Sequence, residues 1–149
     1  LGLHMRALLD VNVLVALLDA SHVHHRAARA WLAAHVRLGW ASCPLTQNGC
    51  LRILSLPSYP NPQPAAAVAQ RLGLAVADAS HAFWPDDCSL LDAGRIRWDH
   101  VLGSRQITDA YLLALATEHG GRLVTLDRGV AVQAVSRAAA RNLVTLSAA

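Results

Sequence analysis

From Met5 onward the chain sets short apolar runs against longer stretches in which apolar residues recur every three or four positions. The runs "RALL", "LGWASC", "RLVTL" and "LVTL" have the length of short buried strands, and "HAFWPDD" holds a weaker one. After the first run, "VNVLVALL" predicts a helix through Leu18. In "HHRAARAWLAAHV" the spacing puts Ala28, Leu32 and Val36 on one helical face with Ala27 and Trp31 beside them. "TQNGCLRILSL" predicts a helix with Leu51 and Leu54 inward and Gly49 at a point of close approach. "PSYPNPQP" is a connection whose last proline, Pro64, opens the helix "PAAAVAQRLG". "LLDAGRIRWDHVLGSRQI" reads as a loop-rich crossing with a short helical turn. "TDAYLLALATEHGG" follows as a helix capped by Thr108, running to Glu118 and closed by Gly120 and Gly121. "VAVQAVSRAAARN" predicts one more helix before the last strand.

Short strands alternating with helices imply parallel crossover units, hence an α/β fold: a three-layer α/β/α sandwich with a short, mainly parallel central sheet. A length of 149 residues at 54% hydrophobic content suits a single domain over residues 5–149. Leu1–His4, ahead of the one methionine, read as an expression remnant. No apolar stretch reaches the ~18 residues of a membrane span and no signal-peptide pattern is visible, so a soluble, cytoplasmic protein without membrane contact is expected.

Charge and cysteine content narrow the chemistry only a little. Cys43, Cys50 and Cys88 are odd in number and lack CxxC spacing, which disfavours a disulfide framework or a zinc site and fits a reducing compartment. All 13 basic residues are arginine and the formal net charge is +3, a mild basicity that permits nucleic acid without requiring it.

The carboxyl ends of parallel strands are where ligands gather in open α/β sheets. Two predicted strands end there on an aspartate, Asp10 after "RALL" and Asp127 after "RLVTL", and Asp109 opens a helix at the same edge. Three clustered carboxylates repel one another and call for a hard cation with oxygen ligands, Mg2+ or Mn2+. Such a centre suits phosphodiester hydrolysis. Each acid also has a plain structural reading: a strand-end turn for Asp10, a favourable charge at a helix N-terminus for Asp109, an Asp-Arg-Gly turn for Asp127. Asn12 either orients Asp10 or caps the first helix. Thr108 and Ser104 bind phosphate or a water, or serve as cap and loop residue. Arg105 and Arg128 flank the cleft as candidate RNA-backbone contacts. The "HVHH" stretch, His22–His25, has metal-like spacing but no second ligand cluster. Trp31 reads as core, and Trp98, in an arginine-bearing polar loop, is the tryptophan to consider for RNA. A phosphoacceptor domain also places aspartates at strand ends, but Asn12 stands where the dehalogenase pattern has a second aspartate, and the chain lacks the lysine of a receiver.

Taken in order, "LLDVNVLVALLD", "TQNGCLR", "GSRQITDAYLLALA" and "RLVTLDRG" resemble the PIN domain, and more narrowly the VapC-type toxins of bacterial toxin–antitoxin pairs. The resemblance runs from Met5 to about Leu146. It implies a metal-dependent endoribonuclease toxin that cuts structured cellular RNA, transfer or ribosomal RNA, and is neutralised by a cognate antitoxin. It also implies a homodimer and metal ligands at Asp10, Asp109 and Asp127. Many members add a glutamate on the helix after the second strand; here that helix reads Thr46, Gln47, Asn48, Gly49. Asn48 is then a candidate ligand for metal or water, without charge. Glu118, the only glutamate, lies nine residues beyond Asp109, half a revolution round and ~13 Å along the helix, so it belongs elsewhere. Asp86, Asp87, Asp92 and Asp99 remain as substitutes or as solvated loop acids. The competing reading is a degenerate PIN domain that binds RNA or antitoxin without cutting.

Overall fold

A computed structural model describes residues 5–147; the remnant assigned to Leu1–His4 and the last two residues of the expected domain lie outside the described residues. Five strands, β1 (Ala7–Leu9), β2 (Trp40–Ser42), β3 (His81–Phe83), β4 (Arg122–Thr125) and β5 (Leu143–Thr145), form one sheet in the order β3-β2-β1-β4-β5. Every pairing is parallel. The chain builds outward from β1 to β3, then returns to lay β4 on the other side of β1. Strand order therefore reverses between β1 and β4, which opens a crevice at their carboxyl ends.

Side chains alternate across the sheet, so each short run feeds two cores. Ala7, Leu9 and Val124 face one of them, beneath α1 (Val11–Leu18), α2 (His25–His35), α3 (Pro44–Ser55) and α4 (Ala65–Val76). Leu8, Ala41 and Leu123 face the other, covered by α5 (Ile107–Glu118). Helix α5 is apolar almost all round, with Ala110 and Leu112 through Ala116 buried. A helix of that kind is covered on more than its sheet face, here by Ile96, Val130 and Val135 from outside. Among the described residues no helix is long and apolar enough to cross a membrane.

Several local expectations need correction. The first helix is capped by Asp10, whose carboxylate accepts from the Val11 amide at 2.7 Å; Asn12 is already inside the helix. Likewise α5 begins at Ile107 after Gln106, so Thr108 is an exposed first-turn residue and not a cap. Val36 falls beyond α2 in a single 3-10 turn and is exposed. The helix expected over "VAVQAVSRAAARN" does not form; two single 3-10 turns, Val132–Ala134 and Ala140–Asn142, stand there. Its backbone is engaged elsewhere: Arg97 N donates to Ala134 O and Ser136 N to Arg95 O, both at 2.9 Å, around an antiparallel bridge between Ile96 and Val135. Those tertiary bonds use groups that helical bonds would need, and Val135 is buried in the α5 core.

Gly49 does lie at a close approach. A Cβ there would stand 2.6 Å from Val11 Cγ2, so the α1–α3 contact beside Asp10 depends on glycine. The three cysteines are free, Cys43 and Cys50 buried and Cys88 partly so.

Candidate acid site at the carboxyl edge of the sheet

Asp10 leaves β1 and turns directly into α1. Its amide donates to Val124 O of β4 at 2.9 Å, and its own carbonyl accepts from Val13 and Leu14. The side chain is buried. Oδ1 accepts from Val11 N at 2.7 Å, and Oδ2 accepts from the Thr125 hydroxyl at 2.7 Å. Burial raises the carboxyl above its ordinary value, the bonds from Thr125 and Val11 pull it back down, and the charge of Asp127 adds a smaller upward push.

Thr125 was not singled out by its sequence context, yet it organises the site. Its hydroxyl, buried at the end of β4, gives its one hydrogen to Asp10. It accepts from Asn12 Nδ2 at 3.3 Å and from Asp127 N at 3.0 Å, using both lone pairs. Asn12 completes the brace by accepting from Leu126 N at 3.1 Å through Oδ1. Asn12 therefore acts on Asp10 through Thr125. The one available signal was a hydroxyl two residues before a strand-end aspartate, a pattern that on its own reads as ordinary β-strand.

Asp127 sits in a tight turn after β4, exposed, with Oδ1 accepting from Gly129 N at 2.7 Å. Asp109 stands in the first turn of α5 and is half-buried. A helix N-terminus favours its charge, but the surroundings overrule that. Its carboxyl is raised to about 7, first by burial, then by the charge of Asp10, then by that of Asp127, with hydrogen bonding to Asp127 adding to the rise. Each of the three acids thus lies in the field of another.

Among the described residues no three His, Cys, Asp or Glu side chains already close on a point as metal ligands. The donor set nevertheless fits an oxygen-ligated divalent cation by its chemistry. It consists of hard carboxylate oxygens, and the mutual repulsion that raises Asp109 is what a cation relieves. Each bonded oxygen of Asp10 retains a lone pair.

The other sequence candidates fall in two groups. Arg105 and Arg128 are exposed on the segments that enter α5 and leave β4, flanking the acids in sequence. Asn48 is exposed on α3, and among the described residues no hydrogen bond joins it to Asp10, Asp109 or Asp127; its neighbour Gln47 donates to Ser42 Oγ at 3.0 Å. Ser104 is exposed in the 3-10 turn Ser104–Gln106. The remaining acids are engaged apart from the three. Glu118 pairs with Arg95 and Arg137, Asp92 with Arg95, Asp87 with His119 and Asp99 with His100. Burial raises the Tyr111 hydroxyl and the Cys43 thiol, and the charge of nearby Asp86 adds to the rise of both. In "HVHH", His22 Nδ1 accepts from His24 N and His25 Nδ1 bonds Ala16 O, so these rings serve the turn between α1 and α2.

Comparison with known proteins matches the PIN domain over residues 7–135. Ribonuclease VapC44 of Mycobacterium tuberculosis is 49% identical over 142 residues, which span 95% of this chain and 100% of that protein. Ribonucleases VapC39 and VapC38 of the same organism are each 46% identical. Their alignments cover 85% and 88% of this chain respectively, and 92% of each relative.

Proposed function

We propose that this chain, which belongs to the PIN-domain family and within it to the VapC-type ribonuclease toxins, is a metal-dependent endoribonuclease that cuts structured cellular RNA in the cytoplasm. The observation that carries the reading is the placement of Asp109 within the field of buried Asp10 and of Asp127 at the reversal point of a parallel sheet. Asp10 and Asp109 would hold one Mg2+ or Mn2+ ion, with Asp127 at the open side and Asn48 offering at most an uncharged oxygen. A divalent ion bound there offsets the acids' charge, draws a phosphodiester to them and acidifies water.

The chain's own residues do the rest. Val11 N and Thr125 hold Asp10 in one orientation and offset part of the upward push that burial gives its carboxyl. Asn12 fixes Thr125, and through it the exit of β4. Asp109, raised by burial and by the charges of Asp10 and Asp127, is the group whose repulsion a bound cation would relieve most directly. Thr108, exposed one residue before it, supports a phosphate or water at the helix start, and Arg105 and Arg128 hold the RNA backbone by charge. A cognate antitoxin that places a basic side chain among the acids would offset the same charge and exclude the cation. We assign the active form to a homodimer.

The test uses protein freed of antitoxin, with RNA and added Mg2+ or Mn2+. Cleavage is expected, and Asp10→Asn or Asp109→Asn abolishes it. Full activity in both variants would overturn the assignment. The alternative, a PIN domain that binds without cutting, draws on the absence of an acid at position 48. Growth arrest on expression that survives Asp10→Ala would favour it.

A further inference from the structure

The 3-10 turn Trp98–His100 connects an exposed aromatic ring to the wall of the acid crevice. His100 and Val101 line a space of about 10 Å³ together with Asp109 and Gly129, room for about one water. Trp98 is two residues away, at most ~7 Å of chain, and is 50% exposed. The other three tryptophans are not comparable: Trp40 and Trp84 are buried, and Trp31 is packed against the core.

The turn is held firmly. His100 N donates to Arg97 O at 2.9 Å and Val101 N to Trp98 O at 3.0 Å. The Arg97 amide is tied to Ala134 O, and its guanidinium donates to Gln133 O at 3.1 Å and Ser136 O at 3.5 Å. A lone exposed apolar side chain needs no explanation. A large planar one on a hydrogen-bonded turn, two residues from a space that Asp109 lines, is a preorganised surface that loses little entropy when a ligand covers it. Its immediate neighbours Arg97, Asp99 and His100 are exposed and polar, with Leu102 exposed four residues on. An aromatic face in polar company suits a nucleobase, which offers a flat face and polar edges.

We propose that Trp98 is a stacking platform for one unpaired nucleobase of the RNA, next to the phosphodiester handled at Asp10, Asp109 and Asp127. The inference rests on the ribonuclease reading. Stacking is tolerant of base identity, so the platform selects unstacked nucleotides in loops over paired ones.

The experiment is titration of the full chain with a short single-stranded RNA in chelator, followed by tryptophan fluorescence, then steady-state cleavage with Mn2+. RNA is expected to quench part of the emission. Trp98→Phe should lose that quench while keeping affinity within about two-fold, and Trp98→Ala should weaken binding and raise KM by about ten-fold with kcat retained. A merely structural tryptophan would give no ligand-dependent quench. The proposal is overturned if RNA leaves the emission unchanged, or if folded Trp98→Ala binds RNA as the wild type does. Loss of a dimer in sedimentation with RNA affinity unchanged would overturn it too, assigning the ring to a second copy. Quench without cleavage under any metal condition would support the platform and remove the ribonuclease reading. Cleavage with an unaltered KM in Trp98→Ala would do the reverse.

Discussion

The Thr125 hydroxyl donates to Asp10 Oδ2 at 2.7 Å across 115 residues of chain, joining the ends of β4 and β1 where strand order reverses. The same oxygen accepts from Asn12 and from the Asp127 amide. A single side chain thereby sets the orientation of one acid and the backbone of another.

Thr125→Val keeps the shape and removes the hydroxyl. Asp10 then loses a bond that lowers its pKa, and the Asp127 amide loses its acceptor. The variant is expected to be less stable by about 1–3 kcal/mol, the cost of buried groups left unpaired. Ribonuclease activity should fall ten-fold or more, in the range of about 10–100-fold for groups supporting a metal ligand. Thr125→Ser should retain most of both. Urea melts and cleavage rates of the two variants side by side provide the check.

Asp109 makes stability depend on pH with a definite sign. Its folded-state carboxyl is raised to about 7, while an unfolded aspartate titrates near ~3.9. The protonated form's stabilisation is complete below ~3.9 and is lost as pH rises, the loss ending as pH passes the folded value. In chelator, the melting temperature of the wild type should therefore fall behind that of Asp109→Asn between about pH 4 and pH 7 and lag by a constant amount above it. Discounted for solvent screening the difference is about 1 kcal/mol, or ~3 °C. Melts of both proteins across that range, with and without Mn2+, test it. Equal pH profiles for the two would show that neither burial nor the neighbouring acids raise the Asp109 carboxyl.

Gly49→Ala adds a methyl 2.6 Å from Val11 Cγ2 and 3.1 Å from Cγ1. The gain in helix propensity of about 1 kcal/mol is outweighed by overpacking of about 1–3 kcal/mol, and the strain falls on the residue next to Asp10. Lower stability and lower cleavage are expected together. Val11→Ala in the same chain should recover both, a coupling that a double-mutant cycle of melts measures directly.

Much of this was legible along the chain. The strand-length runs, the helical periods and the turn prolines depend on residues within a few positions of one another, and Gly49 stood out in its helix although the residue it approaches, Val11, is far off in the chain. Asp10 and Asp127 were conspicuous because each ends an apolar run, and Asp109 because it opens a helix at the same edge. Glu118 was set apart by helix geometry alone, and its pairing with Arg95 and Arg137 agrees with that placement.

What only the tertiary structure decided involves partners far apart in the chain. Cap assignment moved from Asn12 to Asp10 because β4 places Thr125 and Leu126 beside Asn12 and occupies its amide. A helix predicted from alanine and valine spacing after Val130 gave way because Arg95 and Arg97 take the backbone bonds it would have used. The raised Asp109 carboxyl comes from burial and from charges that a parallel register brings together. Local pattern determines which segments can be strand or helix, since propensity and periodicity act over a turn or two. The protonation of an acid and the partner of a hydroxyl are set by distance in space, and that distance exists only once β1 and β4 lie side by side.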